Sequence, residues 1–124
     1  MLLDTHIVLS ILGQTDLLLP KIILDLLRVP EQRSASVASI WEIAIKYRTG
    51  KLALSIDLNG ISDLLESIGI QVLHIRPSHA LATIGPEPIT KDPFDRLLLG
   101  VCAAEGMKLL TIDKALVGHP LVWR

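Results

Sequence analysis

The sequence predicts an α/β fold: a mostly parallel sheet covered by helices on both faces. Three observations lead there. Short apolar runs alternate with longer helical patterns, as strand–helix–strand units require. Half of the residues are hydrophobic but only 3% are aromatic, so the core must be built from Leu, Ile, Val and Ala; such aliphatic runs suit strands buried on both sides. The length of 124 residues fits one domain, residues 1–124, around one core.

The elements follow in order. Met1–Asp4 reads as a short buried strand. A helix is expected over Thr5–Leu12, stopped at Gly13. Asp16 can cap a second helix running to about Leu27, with Pro30 beyond its end. Ser34–Ser36 is a brief strand. Val37–Thr49 is a helix whose Val37, Ile40, Trp41, Ala44 and Arg48 share one side, and Gly50 ends it. Asp57 opens a helix to about Ser67, and Gly69 leads into a strand at Ile70–Ile75. Pro77–Ile84 is a short helix. "GPEPITK" is a loop, with two prolines and a glycine in seven residues. Asp92 starts a helix that ends near Gly106. Lys108–Ile112 is a buried strand, Lys114–Val117 a helical turn and Leu121–Trp123 a last strand.

Bulk properties exclude several classes. The longest run without a charged residue, Thr5–Thr15, is well short of the ~18 apolar residues a membrane span needs. No basic start followed by an apolar stretch marks a signal peptide, so the cytoplasm is the expected location. One cysteine, Cys102, cannot build a disulfide framework or a cysteine zinc site. The net charge of −1 means that any nucleic-acid contact must use a local basic patch.

In an open parallel sheet, ligands bind beyond the carboxyl ends of the strands. Asp4 follows the first strand and Asp113 follows "KLLTI", so both carboxylates belong at one sheet edge. Each also suits a helix cap, since Asp is a preferred N-cap. In "KDPFDRLLLG", capping accounts for Asp92, with Pro93 at the first helical position. It accounts less well for Asp95, which shares a side with Leu98, Leu99 and Cys102 on a helix apolar nearly all round. Glu42 lies away from the Val37/Trp41/Ala44 side. It either pairs with Lys46 on a solvated face or points at the aspartates. Three or four converging carboxylates raise one another's pKa, and a divalent cation relieves that repulsion. Oxygen donors without Cys or clustered His favour Mg²⁺ or Mn²⁺ over Zn²⁺. Such a site suits metal-assisted phosphodiester hydrolysis. His6, His74, His79 and His119 show no ligand spacing.

"LLDTH" at 2–6, "SIWEIAIKYRTGKL" at 39–52, "DPFDRLLLGVCAAEG" at 92–106 and "LLTIDKAL" at 109–116 together resemble a PIN domain. More closely, they are similar to the toxin ribonucleases of bacterial VapBC-type toxin–antitoxin modules. The resemblance runs along nearly the whole chain. It implies a three-layer α/β/α sandwich and a Mg²⁺- or Mn²⁺-dependent endoribonuclease. It places the family's acidic positions on Asp4, Glu42, Asp95 and Asp113, as metal ligands and catalytic groups. Asp92 is a cap, a ligand or a group that supports a ligand, and Thr5 and Thr111 flank the acids either as ligand or water holders or as ordinary caps. The sequence departs from its relatives after "LLDTH", where tryptophans often follow, and before "DPFDR", where Thr90 and Lys91 stand in place of a frequent histidine.

An RNA substrate needs cations at the rim of an acidic site. Lys46, Arg48 and Lys51 supply them, or else simply complement a helix C-terminus; Arg96 either orients Asp95 or meets phosphate. The resemblance further implies an antitoxin protein laid in an apolar groove near Ile7–Leu12 and the second helix, and a homodimer. Two other readings compete. A receiver-like phospho-accepting signalling domain would want paired acids after the first strand, an aspartate after the middle strand and a lysine after the last inner one. A catalytically silent binding module of the same fold would not need all four acids.

Overall fold

The computed structural model describes residues 1–29 and 32–123. The elements run β1 (Leu2–Leu3), α1 (Thr5–Ile11), α2 (Lys21–Arg28), β2 (Arg33–Ser36), α3 (Val37–Arg48), a 3₁₀ turn (Leu58–Gly60), α4 (Ile61–Ser67), β3 (Ile70–Leu73), α5 (Pro77–Ala80), α6 (Pro93–Glu105) and β4 (Leu109–Leu110). The four strands form one sheet in the order β3-β2-β1-β4, all parallel. From β1 the chain steps outward through β2 to β3, then returns to place β4 on the other side of β1. The strand order therefore reverses at β1, and a crevice opens at the carboxyl end of β1.

The two faces of the sheet feed two separate cores. Leu3 and Leu110 point into one with Ile7, Val8, Ile23, Ile43, Ile61 and Leu65, from α1 to α4. Leu2 and Leu109 point into the other with Leu98, Leu99, Val101 and Cys102 of α6. Alternation along a strand sends successive side chains to opposite faces, so two leucines in a row serve both layers. This is the three-layer α/β sandwich expected from the sequence.

Several boundaries differ from expectation, each for a local reason. The second helix starts at Lys21 rather than after Asp16. A residue before proline is pushed out of the helical region, so Leu19 cannot join a helix through Pro20. Instead the Pro20 carbonyl accepts from the backbone N–H groups of Ile23 and Leu24 at 3.0 and 3.1 Å. Pro30, expected beyond this helix, lies outside the described residues. After Asp57 the chain makes a 3₁₀ turn before α4, with the Asp57 carboxylate accepting from the Asn59 N–H at 3.1 Å. The third strand ends at Leu73, not Ile75, because its partner position, Ser36, is the last residue before α3. β4 is limited to Leu109–Leu110 because β1 offers only Leu2 and Leu3 for pairing. α5 stops at Ala80 rather than Ile84, and the Ala82 carbonyl accepts from the Arg96 guanidinium at 2.8 Å. The expected last strand is a single parallel bridge between Leu109 and Val122.

α3 turns a different face inward from the one expected. Ala38, Ser39, Glu42 and Ile43 are buried beside Ala44 of the expected side, while Trp41 is 54% exposed and Arg48 is exposed. Its N-cap, Ser36, accepts from the Ala38 N–H at 3.0 Å. That fixes the helix where it leaves β2 and swings Glu42 toward β1.

α6 carries the other half of the site and is held by α5. Its Asp92 cap accepts from the Phe94 N–H at 2.9 Å, Pro93 fills the first turn, and Gly106 closes it in the left-handed conformation (φ 66°). The buried His79 accepts from the Arg76 N–H through Nδ1 at 3.1 Å, and its Nε2 lies 2.7 Å from Glu105 Oε1. The α5 backbone approaches so closely that a Cβ at Gly100 would stand 2.1 Å from the His79 carbonyl oxygen. Gly100→Ala must therefore push the helices apart. It is expected to destabilise the protein by about 1–3 kcal/mol, as overpacking does, read as a lower thermal midpoint; an unchanged midpoint would refute the close approach.

Candidate active site

The register of β1 and β4 creates the site. Leu2 lies opposite Leu109 and Leu3 opposite Leu110, so Asp4 comes level with Thr111 at the sheet edge. The Asp4 N–H donates to the Leu110 carbonyl at 2.9 Å, and the Thr111 hydroxyl donates to Asp4 Oδ2. The Asp4 side chain is not used as a cap for α1. It is 4% exposed. Burial opposes its ionisation. The neighbouring His6, whose Nδ1 lies 3.8 Å away, and the Thr111 hydroxyl outweigh burial and hold its pKa below the ordinary value. The same pairing raises the pKa of His6.

Asp113 follows two residues on. Its N–H donates to Thr111 Oγ1 at 3.0 Å, and its Oδ1 accepts from the Ala115 N–H at 2.9 Å. One carboxylate oxygen thus shapes the turn after β4, so the capping role and placement at the edge coexist.

Glu42 comes from α3 through contact with α1. The carboxylate is 7% exposed, not solvated. Its Oε1 lies 2.7 Å from the Thr5 hydroxyl, which is also 2.9 Å from Ser39 Oγ. Thr5 has one hydroxyl proton and a carboxylate can only accept, so that proton goes to Glu42 and Ser39 donates to Thr5. Glu42 Oε2 pairs with Lys46 Nζ at 2.8 Å. The pairing expected for a surface residue is present, but it operates on a buried acid.

Asp95 is half-buried in the first turn of α6 and accepts from the Thr90 hydroxyl at 3.1 Å. Its pKa is pushed up to about 6, first by burial, then by the negative charge of Asp92, with Asp4 and Asp113 adding to it. Asp95 therefore shares its electrostatic surroundings with acids from β1, β4 and its own helix cap. Among the described residues, no three Asp, Glu, His or Cys side chains stand together as a ready metal cage. Lys46 and Thr5 hold Glu42, while Thr111 holds Asp4. The donor chemistry still fits a hard divalent cation: the groups are oxygens, and one acid is kept from ionising at its usual pH by burial and then by its acidic neighbours.

The cations divide. Lys46 and Lys51 line a groove of about 280 Å³ beside Glu42, together with Ile45, Asp92 and Phe94. Arg48 is exposed at the end of α3. Arg96 turns elsewhere, binding Glu87 at 2.8 Å and the Ala82 carbonyl. Of the apolar segments expected to meet a partner, Ile7, Val8 and Leu9 are core, whereas Leu17, Leu18, Ile22, Leu24 and Val29 are exposed. No helix among the described residues is long and apolar enough to cross a membrane.

Sequence reasoning missed His6, Ser39 and Thr90. Ser39 had a usable signal, since it stands one helical turn before Glu42 on the same side. His6 was passed over because a metal-ligand spacing was sought, not a partner for Asp4. Thr90 reaches Asp95 from an irregular loop, which no periodicity marks.

The fold is similar to that of a toxin–antitoxin complex from Klebsiella pneumoniae, with a TM-score of 0.64 and 16% identity, covering 99% of this chain and 95% of that one. At that identity the likeness bears on the fold alone. No curated protein matches the chain. The PIN domain family model matches residues 1–118, from β1 through the turn after β4, and so takes in all the acids just described. Matched over nearly its whole length, the chain belongs to the PIN domain family.

Proposed function

We propose that this PIN domain is a divalent-metal-dependent endoribonuclease, the toxin of a type II toxin–antitoxin module. PIN domains are generally nucleases. The observation that carries the reading is the electrostatic convergence on Asp95: acids from β1, from β4 and from the head of α6 act on one carboxyl group. Purely structural caps would not need to be near one another.

In this reading Asp4, Asp95, Asp113 and Glu42 would hold Mg²⁺ or Mn²⁺. The cation, when bound, would lower the pKa of a water and offset charge on the phosphate. The chain's own groups do the rest. The Ser39–Thr5 hydroxyl pair orients Glu42. His6 and Thr111 keep Asp4 ionised. Asp113 shapes the edge through its turn. Lys46 and Lys51 attract the RNA backbone. An antitoxin and a second copy of the chain are the protein partners. The exposed Leu18 and Ile22 of the α2 region support a surface that a partner covers, and the Klebsiella relative in fold is itself a toxin–antitoxin complex. The receiver-like alternative finds less support, since Asp4 is the single acid directly after β1 and Lys114 is exposed on the turn.

The direct test is cleavage of single-stranded RNA with Mg²⁺, Mn²⁺ or a chelator. Asp4→Asn and Asp95→Asn are each expected to lower the metal-dependent rate by roughly a hundredfold or more, the scale of losing an electrostatic catalytic group. Unchanged cleavage in both variants would reject the assignment.

A second prediction concerns stability without metal. The folded state favours protonated Asp95, with its pKa raised from 3.8 to about 6. Its contribution is therefore full below the unfolded pKa and lost as pH rises through about 6. Asp95→Asn should be more stable than wild type by about 1 kcal/mol at about pH 7.5, after discounting for solvent screening. The advantage should vanish near the unfolded pKa of 3.8. Chemical denaturation of both proteins across that range, with chelator present, measures it. Equal stabilities at high pH would contradict the raised pKa of Asp95.

A further inference from the structure

Resting on the nuclease reading, we propose that the groove between α3 and the head of α6 is a nucleobase subsite for single-stranded RNA, holding a base next to the cleaved bond. Composition alone discouraged any such site, because only 3% of residues are aromatic. The fold gathers two of these few at one place. Trp41 of α3 and Phe94 of α6 meet edge to face, with ring centroids 5.4 Å apart and planes at 70°. Whichever ring offers its edge, this contact leaves at least one face of Phe94 uncovered by Trp41. It also restrains the Phe94 ring, so little order is lost when a base stacks on it.

The groove has the chemistry of a nucleotide rather than of an apolar chain. Ile45, Pro93 and Phe94 give it apolar walls, while Lys51 places an ammonium group at its side and Lys46 a second one that is paired with Glu42. A base with its neighbouring phosphate presents that same pairing of a flat apolar ring and a negative charge. The volume of about 280 Å³ lies just under the ~300 Å³ at which drug-sized ligand sites begin, so one ring system fits. Continuity fixes the position along the strand. Asp92 lines the groove and also acts on Asp95, and Glu42 lines it from α3. Trp41 is more than half exposed although it is a large apolar residue beside this edge, and its work holding Phe94 gives that exposure a reason.

The test is binding of short 2′-O-methyl RNA to the full chain in chelator and low salt, followed by fluorescence anisotropy. One oligomer carries all its bases and the other has a central abasic position. Wild type should bind the complete oligomer roughly tenfold more tightly, the scale of one base–aromatic stack. Phe94→Leu should abolish that preference and Trp41→Leu should weaken it, both with near-normal melting. Lys51→Ala should weaken both oligomers alike and reduce the salt dependence. Equal binding of the two oligomers by wild type, or none by either, overturns the subsite and leaves the groove to a protein partner's side chain. So does a preference that survives Phe94→Leu. Cleavage of a long RNA with Mg²⁺, run in parallel, separates the two readings. Cleavage without base preference sinks only the subsite, whereas base preference without cleavage sinks only the nuclease.

Discussion

The parallel pairing of β1 with β4 is the contact on which the rest of the site depends. It involves only Leu2, Leu3, Leu109 and Leu110. One step beyond it, a buried carboxylate meets the Thr111 hydroxyl, and that hydroxyl in turn accepts from the Asp113 backbone. A slip of one residue would exchange the leucines between the two cores and separate Asp4 from Thr111. The requirement to bury alternate leucines on opposite faces therefore sets the position of the acids as well. Hydrophobic packing, which has no direction of its own, acquires one through the register of the sheet.

Gathering negative groups at one edge is unfavourable, and the protein meets the problem differently at each acid. Asp4 stays ionised through His6 and Thr111. Glu42 is neutralised by Lys46 and held by Thr5. Asp95 is half-buried, has Thr90 as a hydroxyl partner and feels three other aspartates, so burial first and then their charge make it hold its proton to higher pH. That residual strain in charge is what a cation would relieve, and it gives the PIN-family membership a chemical meaning for this chain. The arrangement resembles the division of labour seen wherever neighbouring carboxylates take different protonation states because their surroundings differ.

The scaffold behind α6 decides how firmly Asp95 and Phe94 are presented. α5 is only four residues long, yet His79 ties it to the far end of α6, and the missing side chain at Gly100 lets the two backbones nearly touch. The head of α6 thus projects from a helix anchored along its length. On the opposite wall, α3 is set by the Ser36 cap and by burial of Ala38, Ser39 and Glu42. Two independently fixed helices enclose the groove, so its width is a property of the packing rather than of mobile side chains.

The layered α/β class, the all-aliphatic core, most helices and all four sheet strands were legible in the sequence, because alternation, capping residues and glycine stops are local signals. So was the placement of Asp4 and Asp113 just after strands and of Asp92 and Asp95 at the head of a helix. Boundaries were misread where tertiary partners run out, as at Leu73 and Leu110, or where Pro20 overrides the hydrophobic pattern that follows Asp16. The side of α3 was misread because an apolar Trp41 outweighed Ser39 and Glu42 in a reading by hydrophobicity, whereas the observed burial of Glu42 is made possible by Thr5 and Lys46, which no periodicity reveals. The amino-acid pattern by itself thus determined which elements form and which groups carry charge. Strand order and register decided that Asp4 and Asp113 come near enough to act on Asp95, and that Trp41 finds Phe94, because contacts between residues distant along the chain arise only when the two cores are packed.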